Sequence, residues 1–448
     1  MRFFPLGVLI AASCWSAGAA MAQSPVFLRA YELALANDPA YRSALKEHEA
    51  SQFNREIGNA AVRPVVSLTQ TSSTNHSSRT LLDNAGRVQH DDPKYLSANT
   101  SLALRQPLIT YEGMARQKIG ETQALYGQAV LANKRQDLLL RLLKAWTELH
   151  FAQDQVRLAK SQLEAYAEQL KLNEAILKQG EGTRTDVLET RSKYEITLGQ
   201  LLEADLEVAN KQRALEAIVG TKDAPALAGL NALIDIDRLE DGTLQEDHWV
   251  DLALASNPEI RSLEMQVELS RLEVERAQSG HMPKLDLTIS RSRSRSDTLN
   301  TLNQNIQNTS LGVQLSVPIY AGGQISAAVS QALAVVEQQR AELEKKSQEI
   351  RTEIRKQINA VKLNRQKKQA LVRAVQAAQE LVLASRKSAK AGVKVNLEVL
   401  NAVQQVYLHR RDLALASYTL LNSWAGLRAA AGQAGDDVVR QIALAITH

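Results

Sequence analysis

The chain lacks most of what staples or fills a compact mixed domain. It has one cysteine, Cys14, so no disulfide can form within it and no cysteine-based metal site can be built. Proline is absent between Pro107 and Pro225 and again after Pro318, which leaves both stretches free to run as unbroken helix. Aromatic residues make up 4%, too few to dominate a large core. No stretch beyond the N-terminal segment approaches the ~20 apolar residues of a membrane-spanning helix. The net charge of +4 is too weak to argue for nucleic acid. His-Glu-x-x-His, Cys-x-x-Cys and Gly-x-Ser-x-Gly are all missing, and the histidines are scattered. Metal, hydrolytic and cofactor chemistry therefore have no support. Gly180-Glu181-Gly182 is not a dinucleotide fingerprint, because no strand precedes it.

Helix-forming Ala, Leu, Gln and Glu are abundant, and their arrangement is periodic. Leu142, Leu149, Val156, Leu163, Leu170 and Leu177 recur every seventh residue. After a break at residues 180–186, Val187, Tyr194, Leu201, Val208 and Leu215 do the same. A seven-residue apolar period marks helices that pair along a seam. Ala145, Ala152 and Ala159 permit close approach beside it. Gly180 and Gly182 suit a helix end and a tight reversal, and Thr183 or Thr185 suits the next N-cap. The spacing predicts a hairpin whose first arm is on the order of 100 Å long at ~1.5 Å per residue.

The unit occurs twice. The interval from Gly180 to Gly392 repeats from Gly220 to Gly432, and Val399, Val406, Leu413, Leu420 and Leu427 answer the first returning arm. Near the N-terminus, Leu33-Ala34-Leu35-Ala36 and Asn37-Asp38-Pro39 match Leu252-Ala253-Leu254-Ala255 and Ser256-Asn257-Pro258. A fixed internal offset indicates a duplicated architecture.

Each repeat also carries alternating segments. Val66 and Leu68 alternate with Ser67 and Thr69, and Leu96 to Arg105 alternate similarly up to Gln106-Pro107. In the second half, Leu285, Leu287 and Ile289, then Leu311, Val313, Leu315 and Val317, alternate with polar residues. Period two with one apolar face fits the wall of a membrane β-barrel. Four strands cannot close a barrel with a lumen, and an open edge is not viable in hydrocarbon. Several identical chains must share one barrel, and three would give twelve strands. Arg291, Arg293 and Arg295 share the alternation of Leu285 to Ile289. Either a bulge switches the face there, or the strand has left the hydrocarbon.

The expected organisation is as follows. Residues 1–22 form a secretory signal, with Arg2, an apolar run from Phe3 to Ala12, and an Ala20-Met21-Ala22 cleavage site; lipidation of Cys14 is the rival reading. Residues 23–220 form the first repeat, with helices Val26–Ala36 and Pro39–Ala61, strands about 64–78 and 95–106, and the long hairpin. Residues 221–246 join the repeats as an equatorial segment. Residues 247–432 form the second repeat, with strands about 284–295 and 308–318. Residues 433–448 are an unassigned tail. The fold class is mainly α with membrane β: duplicated helical hairpins forming an α-barrel tunnel, plus four strands given to a trimeric twelve-stranded transmembrane β-barrel.

This order resembles the TolC family of outer-membrane channel proteins. The motifs that carry the resemblance are Gln106-Pro107-Leu108, the turn Val317-Pro318-Ile319-Tyr320-Ala321-Gly322-Gly323, and the two tips. The first tip reads Gly182-Thr183-Arg184-Thr185-Asp186-Val187-Leu188-Glu189, and the second runs from Gly392 to Ala402. The resemblance implies a homotrimer in outer-membrane lipid, with a helical tunnel across the periplasm. It implies docking through the tips onto a periplasmic adaptor, or membrane fusion protein, joined to an inner-membrane transporter. The form of the first tip is closer to the type I secretion branch, whose transporter is an ABC protein exporting a polypeptide. The channel itself would catalyse nothing and need no cofactor. Two alternatives stay open: the outer-membrane component of a proton-driven drug or metal efflux pump, and a periplasmic coiled-coil adaptor or scaffold.

The resemblance also nominates residues. Asp186, Glu189 and Glu398 are the candidate acids of a gate and selectivity mouth, with Arg184 and Lys394 as neighbouring bases. Asn401 stands where some members carry a second acid. Gly180, Gly182, Thr183, Gly392 and Val393 are the candidate docking tips. A ring of carboxylates at a narrow mouth attracts cations. Asp186 and Glu398 also suit the first turn of a helix, where they favour the dipole.

Overall fold

The computed structural model describes residues 26–82, 85–92, 94–221, 244–298, 301–391 and 396–446. The expected signal segment, most of the equatorial segment, and Gly392, Val393 and Lys394 lie outside them. Among the described residues no helix is long and apolar enough to cross a membrane.

The first repeat opens with α1 (Val26–Asn37), α2 (Pro39–Gln52) and α3 (Asn54–Ala60). Asp38 caps α2 by accepting the Tyr41 amide at 2.7 Å, and Pro39 takes the first helical position. The single helix expected to Ala61 is divided at Phe53, whose amide reaches back to Ala50. Strand β1 (Val65–His76) follows, then a small hairpin β2 (Arg79–Leu82) and β3 (Val88–Asp91), then β4 (Lys94–Ile109). The expected polar segment therefore contains two further strands, tied by Arg79 to Asp91 at 2.7 Å. The strand expected to end at Gln106-Pro107 continues to Ile109. Proline offers no ladder donor, and the register shifts there instead of ending.

Helix α4 (Tyr111–Lys178) then runs 68 residues, about 100 Å. Its first part packs on α2 and α3. There Gly120 lies so close to Asn54 that a Cβ would sit 2.3 Å from a backbone oxygen. Its second part pairs with α5 (Arg184–Val219). The seven-residue period is present, and its first members, Leu142 and Leu149, are buried in the core, but further along the buried row is Ala152, Ala159, Tyr166 and Asn173. The heptad residues Val156, Leu163 and Leu170 flank it half-buried, and Leu177 is 36% exposed. Small side chains let the backbones close along that row and displace the leucines to its shoulders.

The second repeat consists of α6 (Glu246–Ser256), α7 (Pro258–Gln278), β5 (Lys284–Thr298), β6 (Thr301–Ser316), α8 (Gln324–Lys390) and α9 (Asn396–Ala430). Strand β6 begins earlier than expected, because its ladder with β5 is unbroken to Ser296. The two repeats share one joint. Asn37 donates to the Val219 carbonyl at 3.0 Å, and Asn257 donates to the Ala430 carbonyl at 2.8 Å. Beside each, a glycine with positive φ, Gly220 (77°) or Gly432 (74°), ends the returning helix. A Cβ on Gly432 would stand 2.4 Å from the Ser256 carbonyl oxygen.

The unassigned tail contains α10 (Asp436–Ile446). Val439 and Ile442 are fully buried against α1, and Arg135 of α4 reaches Asp436 at 2.7 Å. This core centres on Trp146, against which Phe27 stands edge-on at 5.9 Å. A second cluster surrounds Trp249 and Ile354. The Arg428 guanidinium joins the two, lying 5.3 Å from both the Trp249 and Trp424 rings.

The main sheet has the order β1-β4-β5-β6 and is antiparallel throughout. One face carries exposed Leu68, Leu102, Ile289, Leu311 and Val313. The other is mostly hydroxyls and amides, with Ser73 bonded to Ser97 and Ser290 to Ser310 across strands. No register shift separates Lys284 from Ser296 on β6. The bulge that would switch the arginine face is therefore absent, and Arg291, Arg293 and Arg295 remain on the apolar face. Every strand of this sheet meets the helices at one end, and the hairpin tips lie at the far ends of those helices.

Candidate functional site at the hairpin tips

The first tip is built by backbone chemistry. Helix α4 ends in a left-handed Gly180 (φ 81°), and the Glu181 amide turns back to the Ile176 carbonyl at 3.2 Å. Gly182 passes so near that a Cβ would meet the Leu177 nitrogen at 3.0 Å. Thr183 then caps α5, accepting the Asp186 amide at 3.1 Å, while its hydroxyl donates to the Asp186 carboxylate at 2.5 Å. Thr183 is thus an N-cap, and the Asp186 side chain is engaged by its hydroxyl within the same turn. Arg184 is exposed on the first turn of α5, and Glu189 is half-exposed one turn on. On the second tip, Glu398 and Asn401 are exposed on neighbouring turns of α9, on one side of the helix.

Among the described candidates, Asp186 is held in its own turn, Glu189 is half-exposed, and Arg184, Glu398 and Asn401 are exposed. What converges is an uncharged node that the sequence pattern did not single out. The Thr190 hydroxyl, fully buried, donates to the Asp186 carbonyl at 2.8 Å. It accepts from Asn173 at 2.8 Å and from Asn396 at 3.0 Å. Gln169 closes the ring, donating to Asn173 Oδ1 at 3.1 Å and to Asn396 Oδ1 at 2.9 Å. Three helices meet here: α4 gives Gln169 and Asn173, α5 gives Thr190, and α9 gives Asn396. The first residue of the second returning arm is thus fastened to the first hairpin. A groove of about 610 Å³ lies alongside, lined by Glu181, Asp186, Arg386 and Asn396 among others. One signal for the node was available. Asn173 continues the buried row of Ala152, Ala159 and Tyr166, and a lone amide in an apolar seam fixes register.

Further contacts hold α4 against α9 above the node. Tyr166 donates to the Leu400 carbonyl at 3.4 Å, Tyr418 to Asp154 at 2.8 Å, and Asn422 to Thr147 at 2.9 Å. Burial and the Asp154 carboxylate hold the Tyr418 phenol far above its ordinary range. His150 lies in the same seam, tilted against Trp146 at 4.0 Å between ring centres. Burial pushes its pKa down to about 4, against the weaker pull of Asp154, and its Nε2 has no partner. At the α1–α2 joint, burial acts to raise the Asp38 pKa. The two hydrogen bonds from Arg141, at 3.0 and 3.1 Å, and the Tyr41 amide outweigh it, so the carboxyl sits below its usual range.

Paired long hairpins ending in tips, with a four-stranded amphipathic sheet at the far end, define a class of long helical proteins with an amphipathic sheet for a membrane. Comparison with known proteins gives the particular family. The model for the outer membrane efflux protein family matches residues 30–221 and 249–433, and the chain belongs to that family. It is 38% identical over 406 residues to the alkaline protease secretion protein AprF of Pseudomonas aeruginosa, covering 90% of this chain and 84% of that one. It is 34% identical over 431 residues to the proteases secretion protein PrtF of Dickeya chrysanthemi, covering 94% and 91%. Among solved structures, the outer membrane protein VceC of Vibrio cholerae superposes with a TM-score of 0.76 at 17% identity, covering 92% of this chain and 97% of that one. The chain is an outer-membrane protein of a Gram-negative cell, with its helical stack in the periplasm.

Proposed function

We propose that three copies of this chain form the outer-membrane exit duct of a type I protein secretion machine. The observation that carries the reading is the sheet with two unpaired outer edges. Among the described residues, β1 and β6 each have a neighbour on one side only. They run antiparallel to each other, so β1 of a second copy can extend the ladder on β6 without changing its pattern. Three such joins close twelve strands and leave no edge in the hydrocarbon. The apolar face then meets lipid, and the hydroxyl-rich face lines the lumen. The helical hairpins continue the lumen through the periplasm.

The tips meet the periplasmic adaptor and, through it, an inner-membrane ABC transporter that supplies the energy. The node around Thr190 holds the second hairpin against the first and keeps the mouth narrow. Glu189 and Glu398 give that mouth its preference for cations, while Asp186 serves the turn. The relatives named for protease secretion favour a polypeptide cargo. Deletion of the chain in its own cell tests this: a secreted polypeptide should stay inside and return to the medium on complementation. Normal secretion with increased drug or metal sensitivity would instead select the efflux reading.

A further inference from the structure

The three arginines of β5 point to a ligand site on the outward wall of the sheet. Across the four strands, cross-strand rows on the apolar face can be read from the register. The row of Ile289 holds Val66, Leu104 and Leu311, all apolar. The row of Arg291 holds Leu68, Leu102 and Thr309. The next, with Arg293, holds Gln70, Thr100 and Gln307. The last, with Arg295, holds Ser72, Ala98 and Asn305. The apolar band therefore stops at the Ile289 row on β5 and β6 and one row further, at Leu68 and Leu102, on β1 and β4, and the arginines begin at that boundary.

On β6 the band runs from Leu311 to Leu315, and past the end of the strand the exposed Val317 and Ile319 (96%) carry it on to the exposed Tyr320. At a strand's rise and a tilt of about 40°, Leu311 to Ile319 spans roughly 20 Å, most of the ~25 Å apolar band of an outer-membrane barrel. An aromatic at the helix-side rim and cations at the far rim bracket it. The arginine rim is therefore the one away from the periplasm.

Arg291, Arg293 and Arg295 are exposed, and successive ones stand about 7 Å apart along the strand. Arg293 is steered by Asn305 at 3.4 Å. Among the described side chains of this face there is no carboxylate. The one described acid of the sheet, Asp286, is on the opposite face and is paired with Arg105 at 2.7 Å. Three guanidinium groups in one row at the level of lipid head groups, on a face with no carboxylate among its described side chains (that of Asp297, next on β5, lies outside them), match a ligand that bears phosphates.

We propose that Arg291, Arg293 and Arg295 form a binding strip for the phosphate groups of glycolipids in the outward leaflet. The strip fixes the height of the barrel in the membrane and holds a shell of that lipid around it. The inference rests on the barrel reading above, since it needs this face to meet lipid.

The test uses the full chain purified in detergent. A labelled, acylated disaccharide bisphosphate is titrated against it and followed by fluorescence anisotropy, with the dephosphorylated lipid as comparison. The wild type should bind the phosphorylated form at least tenfold more tightly. Changing all three residues, R291S with R293S and R295S, should weaken it on the order of a hundredfold, from about fivefold for each basic residue near a charged surface. The corresponding triple lysine variant should keep most of the binding. Equal binding of the two lipids by the wild type overturns the proposal whether or not the serine variant folds. Unchanged binding by a folded serine variant, or full displacement by millimolar inorganic phosphate, also overturns it. Conductance in planar bilayers separates the two readings. Wild type that conducts but ignores the lipid phosphate removes only the strip. Wild type that fails to insert removes the barrel reading with it.

Discussion

Replacing Thr190 by valine removes one hydroxyl and leaves the volume almost unchanged. The wild-type hydroxyl is fully buried and satisfies the amide groups of Asn173 and Asn396 while donating to the Asp186 carbonyl. Valine takes the hydroxyl from both amides and leaves each with only its longer bond to the Asp186 carbonyl, at 3.4 Å. A hydrogen bond lost in this way costs about 0.5–1.5 kcal/mol. At the middle of that range for each, the sum is about 2 kcal/mol. About half of it, roughly 1 kcal/mol, falls on the contact between α9 and the first hairpin, because only Asn396 comes from the other tip. That shifts the balance between closed and separated tips by roughly fivefold in each subunit. In planar bilayers the variant should open more often or to larger conductance states, while Thr190→Ser behaves as wild type. Wild-type conductance from a properly assembled Thr190→Val trimer would refute the assignment of the node as the clasp.

Three other outcomes are expected. His150 titrates at about 4 when folded against 6.5 when free; the folded pKa is the lower one, so stability is full above pH 6.5 and falls as pH drops towards 4. The loss is about 3 kcal/mol per chain, visible as a melting temperature that falls over that window and flattens in His150→Phe. Gly432→Ala should lower the melting temperature by more than Gly180→Ala. Both pay ~1–2 kcal/mol for the left-handed backbone, but only Gly432 faces a backbone oxygen, whereas nothing lies within 4 Å of Gly180. Glu189→Gln with Glu398→Gln should reduce the cation preference of reconstituted channels, read as a smaller reversal potential in a salt gradient.

The sequence made the repeats legible because helix length, strand alternation and glycine breaks are local properties. The seven-residue period located the seam, but not which of two adjacent rows is buried. That depends on the rotation of α4 against α5, and the small residues at Ala152 and Ala159 decided it. The charged tip residues were nominated by resemblance, while the polar node was not seen. Thr190, Asn173 and Asn396 come together only through the mutual placement of three helices. Helix α10 escaped notice for another reason. Val438, Val439, Ile442 and Ala445 already have helical spacing, but a stretch of that length gains its stability from the core it covers. The arginines of β5 were seen to clash with the pattern, and only the unbroken ladder to Ser296 resolved the clash in favour of a strand that leaves the apolar band.

The number of chains in one particle tests the central claim most directly. Four strands per chain close a barrel of twelve only if three chains contribute. Native mass spectrometry of the detergent-purified protein should give a single species of three chains, and the same preparation should form channels in planar bilayers. A monomer or dimer that conducts would contradict the shared barrel, and with it the placement of β1 of one copy against β6 of the next.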